Sequence, residues 1–145
     1  MKKEPCELCE TEGGAPLWRD ELLRVVAVED PDYPGFCRVI LNRHVKEMTD
    51  LEAAQRRQMM ETVFAVETCL RELLKPDKIN LACLGNMTPH LHWHIIPRFS
   101  NDAHFPSPIW ASRERDAVPR AVDAGQLIAR LAVHMTTVGV NVRHG

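Results

Sequence analysis

The stretch His90-Leu91-His92-Trp93-His94-Ile95-Ile96 constrains this chain more than any other. Imidazole and apolar side chains alternate along it, and successive side chains of a strand point to opposite faces. The pattern predicts a strand over His90 to Arg98. Leu91, Trp93 and Ile95 would pack on a core, with Trp93 buried. The three imidazoles would line the other face, about 7 Å apart. A half-exposed strand explains one such histidine. Three in register, with no Ser, Thr, Lys or Glu among them, point to chemistry, because imidazole is a metal ligand and also a base and nucleophile near neutral pH. A single metal would need all three within about 2.0–2.1 Å, which a straight strand resists. They are better placed to act separately on an extended, charged substrate.

The rest of the chain supplies partners for that strand. Val- and Leu-rich Leu22 to Glu29 and apolar Phe36 to Asn42 read as an antiparallel pair around the turn Asp30 to Gly35. Thr49 to Lys75 is the clearest helix, with a capping-box pattern at Thr49 and Glu52. Its apolar face comprises Met59, Met60, Val63, Phe64, Val66, Leu70, Leu73 and Leu74. Lys78 to Gly85 is a further strand. A last helix is expected over about Val122 to Val138, with Leu127, Ile128, Leu131 and Met135 facing inward. Strands, long helix, strands and helix in that order predict an α+β domain with an antiparallel sheet.

The 145 residues suit one domain, 1–145, with residues 1–16 as a Cys-containing arm and 99–145 as a variable loop and helix. Net charge of −2 and a pI near 6.4 give no support for a nucleic-acid-binding surface. No apolar run reaches the roughly 20 residues of a membrane helix, and the first residues do not read as a signal peptide. Five cysteines, an odd number, suggest reduced thiols and a cytoplasmic protein. Cys37, Cys69 and Cys83 read as small buried hydrophobes. Cys6 and Cys9 have the C-x-x-C spacing, which can bind zinc, run disulfide chemistry or do neither. His104, His134 and His144 receive no role. Phe105 and Trp110 could close over a base or pack at a subunit interface.

The alternating run resembles the histidine triad motif, His-φ-His-φ-His-φ-φ with φ apolar, and Pro97-Arg98 is similar to the continuation of that motif in many bacterial members. Pro34 to Val45, a Pro-Gly turn with an apolar strand and then His44, is similar to a second recurring stretch of that family. The resemblance covers residues 6–98. It implies a histidine-triad-like fold: a sheet of about five strands, one long helix and a C-terminal helix. It implies a nucleotide hydrolase or nucleotidyl transferase attacking the α-phosphate of a purine nucleotide derivative. Candidate substrates are a nucleoside phosphoramidate, a dinucleoside polyphosphate or an adenylylated molecule.

Under that resemblance His92 is the nucleophile and forms a covalent nucleotidyl-histidine, while His94 binds phosphate oxygens. Cys6 and Cys9 would hold a structural zinc with His44 and His90, a closed four-ligand site, and catalysis would need no metal. Asn86 and Met87 stand where Gln and Ser or Thr are usual, with Thr88 offering a replacement hydroxyl. Glu29 is the candidate for ribose binding, and Asn80 is a further polar candidate. The implied partners are a purine nucleotide and a second copy in a homodimer, with neither nucleic acid nor membrane. A nucleotide-binding regulatory module with weak or lost catalysis is the alternative, raised by Asn86 and Met87.

Overall fold

Residues 5–144 are described by the computed structural model, with side-chain surroundings as far as residue 139. The side chain of His144 lies outside that description. A short helix α1 (Glu7–Glu10) precedes β1 (Ala15–Arg19), β2 (Leu23–Ala27) and β3 (Cys37–Leu41). A 3-10 turn at Met48–Asp50 leads into the long helix α2 (Ala53–Leu74). Then come β4 (Lys78–Ala82), β5 (His92–Arg98) and α3 (Ala124–His144). The five strands form one antiparallel sheet in the order β1-β2-β3-β5-β4.

The arm is more ordered than its composition suggests. It contributes α1, and β1 begins within its last residues and pairs with β2. The long helix starts later than expected: Glu52 is its N-cap, and Gln55 Oε1 accepts from the Glu52 N–H at 3.1 Å. Thr49 lies instead in the preceding turn, where Glu47 and Asp50 form a capping box of their own.

Alternation sorts the strands into two faces. Val25, Val39 and Ile95 join Met59, Val63, Val66 and Leu70 of α2 and Leu127 and Leu131 of α3 in the main core. Phe64 and Ile128 are exposed, contrary to expectation. Each is one residue, about 100° of helical turn, from a buried neighbour, Val63 or Leu127.

The opposite face is also covered. Leu8 of the arm packs on Val26 and Ile40, while Tyr33, Phe36 and Ile96 cluster with Val28 and Ile109. Two glycines make the close approaches possible. Gly13 has φ +82, and a Cβ there would lie 2.8 Å from both Leu8 and Ile40. Gly35, at φ +88, would meet Leu74 of α2 at 2.7 Å. Both adopt a conformation that glycine reaches without steric cost.

Candidate active and metal-binding site

Double coverage buries the histidine face: His90 is 0%, His92 7% and His94 6% exposed. The strand is shorter than its alternation suggests. β5 begins at His92, leaving His90 just before it, although the Leu91 carbonyl still accepts from Leu41 N–H. The expected row of evenly spaced rings is replaced by a split. The His92 and His94 rings meet edge to face at 4.8 Å, while His90 turns toward the cysteine arm. Trp93 is on the core side as expected, yet only partly buried.

Cys6, Cys9, His44 and His90 bring their ligand atoms within 4.8 Å of one another. Cys6 Sγ and Cys9 Sγ each lie 3.4 Å from His90 Nδ1, and Cys9 Sγ lies 3.4 Å from His44 Nδ1. A tetrahedral zinc with ordinary Zn–S and Zn–N bonds would hold S and N about 3.5 Å apart. The spacing therefore fits the ion. His90 Nε2 donates to the Leu41 carbonyl at 2.6 Å. That bond puts the ring proton on Nε2 and turns the Nδ1 lone pair to the thiols, the arrangement metal-ligating histidines use. Burial also lowers the His90 pKa, which keeps that lone pair free.

His92 is oriented by the same residue. Its Nδ1–H donates to the His90 carbonyl at 2.6 Å, so Nε2 carries the lone pair. Burial lowers the His92 pKa, against the pull of that hydrogen bond, and the charge of Arg38 adds to the lowering. Burial, His92 and Arg38 push His94 down to about 4. Both rings are neutral near pH 7. His94 Nδ1 is buried without a hydrogen-bond partner. Its ring lies between Phe36, at 5.6 Å, and Trp110, at 5.2 Å.

Trp110 arrives on a loop pinned by Asp102. The carboxylate accepts from Arg98 Nε at 2.8 Å and Nη2 at 3.1 Å, from Tyr33 OH at 3.2 Å, and from the N–H groups of Phe99, His104 and Phe105. Burial by itself would raise the Asp102 pKa. Arg98 and the backbone donors outweigh that and hold the carboxyl well below its usual range. His104, given no role from sequence, is buried and hydrogen-bonded to the Tyr33 hydroxyl. Phe105 lies against the Arg98 guanidinium at 5.7 Å. Trp110 itself remains 53% exposed at the rim.

The other expected site residues are placed differently. Asn80 is on the histidine face of the sheet, but its Oδ1 accepts from Arg98 Nη1 at 2.8 Å, so it braces the loop. Glu29 is exposed just beyond β2, and Val28 rather than Glu29 packs inward. Asn86 is exposed, as is Met87 at 97%. Thr88 is partly buried and lines, with Met87, the cavity of about 500 Å³ that also borders Cys6, Cys9 and His44.

Arg38 and Asp102 were missed. A lone arginine in the apolar strand Phe36 to Asn42 was a legible signal for the first. Nothing local marks Asp102.

A five-stranded antiparallel sheet carrying spaced histidines beside a two-cysteine, two-histidine cluster defines a histidine triad architecture. The model of the HIT domain matches residues 15–101, and the chain belongs to that family. It is similar to a histidine triad protein from Bradyrhizobium japonicum: 31% identity, TM-score 0.66, covering 88% of this chain and 92% of that one. A Zn-bound histidine triad family protein from Mycobacterium smegmatis shares the fold, at 20% identity and TM-score 0.63, covering 91% and 96% of the two chains. An AP-4-A phosphorylase from Mycobacterium tuberculosis is 27% identical over 108 residues, 70% of this chain. The chain spans only 55% of that relative's length.

Proposed function

We propose that this chain is a nucleotide hydrolase or nucleotidyl transferase acting at the α-phosphate of a purine nucleotide derivative, with His92 as nucleophile. The observation that carries the reading is the 2.6 Å bond from His92 Nδ1 to the His90 carbonyl. It leaves a neutral Nε2 lone pair on a ring buried beside a second imidazole. A neutral imidazole attacks without prior deprotonation. The Nε2 lone pair forms an N–P bond as the bond from phosphorus to the leaving group breaks. The bonding electrons depart with the leaving group, which then takes a proton. An acceptor oxygen next attacks phosphorus, the N–P bond breaks, and the nucleotide is released. Water is one acceptor. Inorganic phosphate is another to test, since the mycobacterial relative is named a phosphorylase.

His94 supports this by offering ring hydrogen bonds to phosphate oxygens, where its unpartnered Nδ1 is available. Zinc at Cys6, Cys9, His44 and His90 would be structural, since four protein ligands leave no open position. It would join the arm to the residue whose carbonyl orients His92. Thr88, on the cavity that borders the metal cluster, and the exposed Asn86 are assigned to the leaving-group side. The exposure of Asn86 and Met87 favours a second reading, a nucleotide-binding module with weak catalysis.

One experiment separates the readings. Incubation with adenosine phosphoramidate or diadenosine tetraphosphate, acid-free quenching and peptide mass spectrometry should find a nucleotidyl adduct on His92. His92→Asn should show no adduct and lose at least about 1,000-fold in turnover. Full turnover in His92→Asn would exclude the enzyme mechanism. Nucleotide binding without turnover in the wild type would establish the second reading.

A further inference from the structure

Four arginines lie on the sheet face that bears the histidines, and their partners differ. Arg19 on β1 is exposed and pairs with Glu12. Arg24 on β2 is consumed by the arm and a neighbouring strand end: Nε donates to the Glu12 carbonyl, Nη1 to Asn42, and Nη2 to the carbonyls of Leu8 and Thr11. Arg98 on β5 is consumed by Asp102, Asn80 and the Ser107 carbonyl. Both are structural ties.

Arg38 is different. Its Nη1 donates to the Gly13 carbonyl at 3.0 Å, and its Nε is buried with no partner. Glu7 on the arm is the carboxylate whose charge reaches it, without a hydrogen bond to it. Arginine carries five N–H donors, and native proteins seldom leave a buried one unpaired.

The register gives this surplus a direction. Arg38 on β3 is directly opposite His94 on β5, and the next paired position on the same face sets Ile40 against His92. Opposed residues of an antiparallel pair have Cβ atoms about 4.5–5.5 Å apart. The His94 Nδ1, across from Arg38, is itself buried and unpartnered. Two unsatisfied polar groups on facing residues, one on a permanent cation, suit an anionic oxygen with several lone pairs. A guanidinium is the side chain best shaped for phosphate.

We propose that Arg38 is a phosphate-binding residue of this site, taking a non-bridging oxygen of the nucleotide together with His94. The proposal rests on the nucleotide reading above and adds a fixed positive charge to a site whose histidines are neutral. It makes the site selective for the phosphorylated nucleoside over the nucleoside. The arm orients the side chain through the Gly13 carbonyl.

Calorimetric titration of the intact protein with AMP and with adenosine tests this, using the wild type, Arg38→Met and Arg38→Lys. Arg38→Met should weaken AMP binding by about tenfold or more while leaving adenosine binding unchanged. Arg38→Lys should recover part of the loss, as a charge without the planar fork. Thermal unfolding checks that each variant folds, and Arg38→Gln replaces Arg38→Met if that one does not. Equal weakening of AMP and adenosine, or unchanged AMP binding, overturns the proposal while the nucleotide reading stands. A wild type that binds neither ligand overturns both.

Discussion

Asp102 and its partners show how much one buried residue can carry. Its carboxylate pairs with Arg98 where both side chains are at most 3% exposed, and the loop's own N–H groups complete its coordination. Removing one partner of such a pair strands a desolvated charge. Arg98→Met should therefore cost about 3–5 kcal/mol in urea unfolding. The pH dependence comes from the depressed Asp102 pKa. The folded value lies below the unfolded one of about 3.9, so its stabilisation is fully present above that value and is lost as pH falls through the folded pKa. Unfolding free energy should decline between about pH 5 and pH 2, and Asp102→Asn should flatten that decline. An unchanged slope in Asp102→Asn would assign acid lability to other carboxylates.

Two loosely patterned segments close the histidine face at the scale of elements. The 99–111 loop brings Trp110 to His94, and the arm brings Cys6 and Cys9 to His44 and His90. Only one of the two was readable in advance. The C-x-x-C spacing allows two cysteines to share one ion, among other uses, and the family resemblance supplied the histidine partners. The loop carries no periodicity, and its order comes from Asp102 contacts that become available only after folding. A zinc-stapled arm predicts that purified protein holds about one zinc per chain, read by plasma emission spectrometry. Cys6→Ser with Cys9→Ser should lose the metal and lower the melting temperature. Zinc-free wild type with the same melting temperature as the double variant would remove the staple.

For the molecule as a whole, Phe64 is an exposed apolar side chain on the long helix. We propose that a second copy of the chain, the homodimer partner that the family resemblance implies, packs against it. Light scattering should give twice the chain mass, and Phe64→Glu should shift the protein toward monomer by placing a charge in an apolar contact. A monomeric wild type at micromolar concentration would refute this.

By itself the sequence determined four of the five strands, the long helix, the separation of histidines from core residues and the spacing of the cysteine pair, while β1 (Ala15–Arg19) was not legible in it. Each rests on a period or spacing within one segment, set by backbone geometry. Tertiary structure decided which segments meet. Cys9 reaches His90 across 81 residues, Arg38 faces His94 through strand register, and Asn80 is taken by Arg98 rather than offered to a ligand. A strand's alternation states which side chains share a face, but the neighbour across that face depends on pairing register, which depends on both strands and on the core beneath them.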